Sequence, residues 1–155
     1  MTDTQKIADL LFPEVSAVPQ DLEEKYPPRA LPEGARVTRF SPSPTGYLHI
    51  GGLFGGLADY MTAKATGGVF YLRIEDTDKK REIEDGVSGI LEGLRAFGIT
   101  PDEGVTGFDS ETGAYGPYTQ SKRVEIYHIV AKDLVRRGLA YPCFCTADEL
   151  TALRE

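Results

Sequence analysis

The chain reads as an α/β domain, a parallel sheet flanked by helices. Three observations point there. Val37 to Phe40 is β-branched and aromatic, as a strand prefers, and it passes through a Pro/Gly turn into a helical apolar pattern from Ile50. Val69-Phe70-Tyr71-Leu72 is a nearly continuous apolar run, which suits a strand covered on both faces in a parallel sheet. Helical patterns follow, so strand, helix and strand over this span form a βαβ unit, right-handed by default.

The elements follow in order. Residues 1–34 read as an extension and linker. Ile7, Leu10 and Leu11 can face one side of a short helix that starts near Asp3 or Thr4 and that Pro13 stops. Pro19, Pro27, Pro28 and Pro32 make the rest an extended linker. Residues 35–138 are expected to form the main α/β segment. Its first helix runs from about Ile50 to Ala65, with Leu53, Leu57, Tyr60 and Met61 as the buried stripe. Gly67-Gly68 ends it, glycine being the residue that tolerates the left-handed position after a helix. A second helix is expected from about Lys80, with Ile83, Val87, Ile90, Leu91, Leu94 and Phe97 on its apolar face and Gly98 at its close. The Gly-, Asp- and Pro-rich stretch from Thr100 to Gly116 reads as loop. A third helix starts near Ser121, with Val124, Tyr127, Val130, Leu134 and Val135 inward, and Gly138 ends it. Residues 139–155 open a further region: Ala140 to Cys145 is a short strand or extended segment, and Thr146-x-x-Glu149 is a capping box that starts a last helix.

Composition narrows the function classes. With 41% hydrophobic and 26% charged residues the chain is ordinary for a folded domain and long enough to bury a core. A net charge of −7 argues against a generally basic nucleic-acid binder, so any nucleic-acid contact needs local basic groups or other parts of a protein. Two closely spaced cysteines make no disulfide framework and suit a reducing cytoplasm. No leader pattern and no apolar run of membrane-spanning length is visible, and the expected location is cytoplasmic.

The most informative stretch is the turn itself. Pro42, Pro44 and Gly46 forbid regular structure between strand and helix. A turn that feeds a helix N-terminus is a natural anion site. Pro42-Ser43-Pro44-Thr45-Gly46 with His49-Ile50-Gly51-Gly52 resembles the first signature of class I aminoacyl-tRNA synthetases in its glutamyl form. Across that class the signature usually reads His-Ile-Gly-His; here Gly52 stands fourth, as is common in glutamyl enzymes. Leu72-Arg73-Ile74-Glu75-Asp76-Thr77-Asp78 and Gly116-Pro117-Tyr118-Thr119-Gln120-Ser121-Lys122-Arg123 match two further glutamyl blocks, in the right order. The resemblance implies the first half of a class I synthetase Rossmann-like sheet, followed by the start of the inserted zinc/acceptor-binding region.

It also implies a chemistry. In that family glutamate attacks the α-phosphate of ATP to give glutamyl-adenylate and pyrophosphate, and then passes to the 3′ end of tRNA-Glu. The carboxylate nucleophile is already ionised at neutral pH, so the first step needs donors aimed at the phosphate rather than a strong base. His49 is the expected donor; the plainer reading is a histidine that caps local backbone. Gly51 and Gly52 let adenosine approach the backbone, or let helix and strand pack closely; both uses can hold at once. Thr45 and Gly46 shape the same ATP turn. Arg39, with Ser41 and Ser43, is expected to grip the glutamate side-chain carboxylate, and Glu75 the α-ammonium; the alternative is a surface salt bridge. Asp76 and Asp78 either meet Mg²⁺ accompanying ATP or, as favoured here, cap the second helix. Asp78, Lys79, Lys80 and Arg81 are candidates for a tRNA contact, against a solvated charge run. Cys143 and Cys145 make two of the four ligands a structural zinc takes, so zinc is expected only in a longer protein, with free thiols as the alternative.

A second class signature, of the Lys-Met-Ser-Lys-Ser kind, is absent. The first expectation is therefore the front segment of a glutamyl-tRNA synthetase, binding without turning over alone. The paralogue that glutamylates queuosine in tRNA, and a non-catalytic nucleotide-binding module, are the competing readings.

Overall fold

The computed structural model describes residues 2–154. The chain divides into two compact units, Met1–Leu22 with Ile126–Glu155, and Glu23–Glu125.

The larger unit holds a four-stranded sheet in the order β1-β2-β3-β4, with β1 Val37–Phe40, β2 Val69–Leu72, β3 Glu103–Gly107 and β4 Ser110–Thr112. β1, β2 and β3 run parallel, and β4 turns back antiparallel to β3. The sheet is thus mixed rather than wholly parallel, and the stretch expected as loop supplies two of its strands. Periodicity could not reveal β3, because Glu103-Gly-Val-Thr-Gly107 has neither alternation nor an apolar run. Tertiary pairing makes it a strand: Tyr71 aligns with Glu103 and Leu72 with Gly104.

α3 (Ile50–Ala65) and α4 (Gly86–Ala96) cover one face of the sheet. Leu53, Ala63, Phe70, Leu72, Ile74, Ile90, Leu91, Leu94, Ile99, Val105 and Tyr118 form the core beneath them. On α3 the expected stripe is half right. Leu53 is buried and Tyr60 half-buried, but Leu57 and Met61 are exposed, while Gly56 and Ala63 face the core. Gly56 sits inward because Phe40 and Leu94 come within 3.5 Å of where its Cβ would be. α3 ends as expected, with Gly67 left-handed at φ +67° and the Gly68 N–H bonded to Ala63 O. α4 starts six residues later than Lys80, since Ile83 N–H donates to Pro44 O and Arg81 N–H closes a turn on Asp78 O instead of entering a helix. Ile90, Leu91 and Leu94 are buried as expected, but Phe97, just past the last turn, is exposed. The linker is not wholly extended: α2 spans Pro19–Lys25. Further on, Tyr26 O–H donates to Gly116 O, and Arg29 is bidentate on Glu103.

In the smaller unit, α1 (Asp3–Leu11) starts with a Thr2/Gln5 capping box. Its buried residue is Ala8; Ile7, Leu10 and Leu11 are exposed. A short 3₁₀ turn, Gln120–Arg123, leads into α5 (Val124–Arg136). Ile129 and Val135 are the buried residues of α5, whereas Tyr127 and Val130 are exposed. The reason lies in Lys132, whose ammonium donates to Phe12 O and Val15 O and pairs with Asp9, which turns the Ile129 side of the helix toward α1. Residues 140–145 have no regular structure, and α6 (Ala147–Ala152) opens with the expected Thr146/Glu149 capping box. Among the described residues no helix is long and apolar enough to cross a membrane.

Candidate active site at the strand–turn–helix junction

β1 leads into the turn, and the turn ends on His49. His49 is the N-cap of α3, its Nδ1 accepting the N–H groups of Gly51 at 3.1 Å and Gly52 at 3.4 Å. The capping reading is therefore correct, and it sharpens the functional one. An Nδ1 that accepts places the proton of the neutral ring on Nε2, an assignment made from the hydrogen bonds. The ring thus presents one N–H donor outward. The same bonds occupy two helix N–H groups that an anion would otherwise use. The outward donor of this junction is the imidazole more than the bare helix end.

A cavity of about 390 Å³ lies at the turn, lined by Ser43, Thr45, Gly46, His49 and Gly52 among the expected residues, with Phe40, Tyr47, Leu48 and Ile90. Gly51 is beside it, packed against the His49 ring, where a Cβ would fall 3.0 Å from Cε1. Gly52 opens instead onto Leu48.

Arg39 stands apart from that cavity. β1 and β2 are in register, Arg39 aligned with Tyr71 and Phe40 with Leu72. The ladder continues through Arg73 N–H to Phe40 O and Glu75 N–H to Pro42 O. Alternation then places Arg39, Ser41, Arg73 and Glu75 on the face opposite the one that carries Phe40, Phe70 and Leu72. Arg39 is exposed, and its guanidinium has no hydrogen bond or ion pair among the described residues. It lies close enough to Asp59 to pull that carboxyl down against burial, which lifts it above its ordinary range. Glu75 Oε1 accepts from Arg73 at 2.8 Å, and its second oxygen has no partner among the described residues. Arg73, which orients Glu75, was missed by sequence reasoning; its place two residues earlier in the extended segment after β2 was the available signal.

Asp76 has a structural post that sequence reasoning placed on the wrong helix. It is buried, and it accepts from Ser121 N–H at 2.8 Å, Ser121 O–H at 2.6 Å and Lys79 at 2.9 Å. Burial works to raise its pKa, yet these donors prevail and hold the carboxyl below its ordinary value. It ties the segment that follows β2 to the 3₁₀ turn rather than capping α4, whose N-cap Asp85 makes no side-chain cap bond. Both oxygens are thus engaged in holding the fold. In the basic run, Lys79 also pairs with Glu82, and Arg81 pairs with Asp78. Only Lys80 of the three is without an ion pair among the described residues.

Cys143 and Cys145 are both exposed, and among the described residues no group of three or more His, Cys, Asp or Glu gathers to hold a metal. A cavity of about 470 Å³ in the smaller unit, lined by Gln5, Asp9, Lys132, Asp133 and Arg136 among others, includes none of the expected site residues.

A βαβ unit whose first strand runs through a buried-proline turn into a histidine-capped helix has the architecture of a Rossmann-like nucleotide-binding domain. Residues 36–155 match the family model for the catalytic domain of class I tRNA synthetases (E and Q). The chain belongs to that family. It is 53% identical, over 97% of its length, to a protein named glutamate–tRNA ligase from Clostridium perfringens, of which it spans 28%. A glutamate–tRNA ligase from Sorangium cellulosum is 48% identical over 94% of the chain and is likewise spanned to 28%. Among solved structures, a glutamate tRNA ligase from Elizabethkingia meningosepticum in complex with its amino acid superposes with a TM-score of 0.68 at 43% identity, covering 79% of this chain and 23% of that one. The chain thus spans about a quarter of the length of the curated relatives it matches.

Proposed function

We propose that this chain carries the amino-acid and ATP-binding front of a glutamate–tRNA ligase. One observation carries the reading: an uncommitted guanidinium, Arg39, and a half-committed carboxylate, Glu75, share one sheet face beside a turn whose histidine presents a free N–H. That set is complementary to a zwitterionic amino acid with an acidic side chain, next to a phosphate. Arg39 takes the side-chain carboxylate, with Ser41 and Ser43 adding hydroxyls, and Glu75 takes the α-ammonium. Thr45, Gly46 and Gly52 shape the wall against ATP, and His49 Nε2–H donates to the phosphate as charge redistributes. Glutamate then attacks the α-phosphorus, pyrophosphate leaves, and the acyl group passes to the 3′ end of tRNA-Glu. Mg²⁺ accompanies ATP, and zinc belongs to the longer protein if Cys143 and Cys145 find two more ligands. Asp78, Lys79, Lys80 and Arg81 are the proposed tRNA contact, with Lys80 the least committed. Such a protein works in the cytoplasm, where translation runs. The names of the relatives and the amino acid held by the Elizabethkingia protein support this reading.

The test is a calorimetric titration of the chain with a non-hydrolysable glutamyl-adenylate analogue, with the glutaminyl analogue alongside. Tighter binding of the glutamyl form is expected. Arg39→Ala should weaken it about 10–100-fold, the worth of a charged hydrogen-bonded pair, and abolish the preference. Equal affinity for both analogues in a folded sample would overturn the glutamate assignment. His49→Asn separates two roles: asparagine is a good N-cap, so thermal stability should hold while affinity for the analogue falls.

A further inference from the structure

Leu48 immediately precedes His49, and its side chain enters the space between α3 and α4. On one side a Cβ at Gly52 of α3 would meet Leu48 Cδ1 at 3.0 Å. On the other, a Cβ at Gly93 of α4 would meet Leu48 Cδ2 at 3.0 Å and Leu48 Cβ at 3.4 Å. Leu48 packs against the core that Leu53, Ile90 and Leu94 build. Both sockets are therefore made by glycine, the poorest helix former after proline, one in the first turn of α3 and the other in the interior of α4. Helix propensity gives no reason for glycine at 93, where room for this side chain does; at Gly52 the same room is needed beside the wall assigned to ATP. The turn is fastened at its other end as well. Pro44 is fully buried, its carbonyl accepts from Ile83 N–H at 3.0 Å, and a Cβ at Gly86 would fall 2.6 Å from that carbonyl oxygen.

We infer that Leu48 is a positioning residue, a wedge between Gly52 and Gly93 that fixes the backbone of His49 and so the direction of its Nε2–H. The Pro44 anchor limits where the turn begins, and Leu48 decides where it ends. Without the wedge, His49 keeps its chemistry and loses its place against the cavity. The inference deepens the reading of this turn as the ATP-binding element, and only its binding arm rests on that reading.

Four variants of the 155-residue chain test it: Leu48→Ala, Leu48→Met, Gly93→Ala and Gly55→Ala. Gly55 is the control, since a Cβ there meets nothing within 4 Å. The first readout is the ¹⁵N imidazole spectrum of His49, which reports which ring nitrogen is protonated and what the other accepts. The second histidine, His128, is assigned from a His128→Gln sample. The second readout is affinity for the glutamyl-adenylate analogue. Leu48→Ala and Gly93→Ala are expected to shift or broaden the His49 signals and to weaken the analogue at least tenfold. Leu48→Met, which refills the socket with a flexible side chain, should restore both. Gly55→Ala should change neither and should raise the melting midpoint. If Leu48→Ala fails to fold, Gly93→Ala still decides, because its added methyl meets the flexible end of a side chain. His49 signals unchanged in a folded Leu48→Ala or Gly93→Ala chain would overturn the inference. If those signals move as expected while the unsubstituted chain binds no analogue, the wedge stands and the nucleotide reading falls.

Discussion

Glu103 and Arg29 form the best-built ion pair of the larger unit. Glu103 accepts from both terminal nitrogens of Arg29, one of them at 2.7 Å, and from Tyr118 O–H at 2.6 Å. The guanidinium also lies over the Tyr115 ring, 3.7 Å from its centroid. Both charged side chains are about 85% buried, so deleting one strands the other. Glu103→Gln should cost about 2–4 kcal/mol at pH 7, read by denaturant unfolding. The hydrogen bonds from Arg29, with Tyr118 helping, hold the Glu103 carboxyl below its ordinary 4.5 against burial. A depressed carboxyl contributes stability above its unfolded pKa and loses it as pH falls through the folded one. The unsubstituted chain should therefore lose stability progressively below about pH 4.5, and Glu103→Gln should flatten that limb. Tyr118 titrates at the other end. Burial, with the hydrogen bond to Glu103, pushes its hydroxyl up to about 12 from 10.0. Its contribution is whole below pH 10 and is lost as pH rises from there toward 12, a loss that Tyr118→Phe should remove from an alkaline titration.

Among the elements, β3 depends most on a single backbone position. Gly104 has φ +126°, and a Cβ there would fall 2.2 Å from Leu72 O. Gly104→Ala thus meets both a forbidden backbone region and the neighbouring strand, and should cost about 3 kcal/mol or more, measured by thermal unfolding. The same glycine hid the strand from sequence reading, since glycine in a run argues against a strand until a neighbour requires close approach. Apart from α2, which the proline-rich stretch concealed, helix existence was legible; the buried side of each helix was less so. α3 is apolar nearly all round, so periodicity alone could not choose between the side of Leu57 and Met61 and the side of Gly56 and Ala63. Pro44 O delays α4 by bonding Ile83 N–H, a contact between residues 39 positions apart that no local pattern carries. Local signals did place the caps: Gly67, Gly98 and Gly138 are left-handed where helices end, and Thr146 opens α6.

At the scale of the molecule, the larger unit leaves β1 at a sheet edge and an apolar line on α3 in solvent. Ile50, Phe54, Leu57 and Met61 are exposed at helical spacing, Phe54 at 72%. Such a line on an isolated chain favours self-association and dye binding. Phe54→Ser with Met61→Lys should lower light scattering and anilinonaphthalene-sulfonate fluorescence while leaving circular dichroism unchanged. The sequence by itself determined the βαβ start, the strand–turn–helix junction at His49 and the kinship with glutamyl enzymes. These rest on local chemistry: proline and glycine in the turn, β-branched residues in the strand, and the order of short motifs. Only the tertiary structure decided that Arg39 and Glu75 lie on one sheet face while Ser43 and His49 line a cavity at the turn. It alone gave Asp76 to Ser121 and seated Leu48 between two helices. Those facts depend on register and on which residues distant in sequence meet, and a side chain's partner across a fold leaves no trace in its neighbours along the chain.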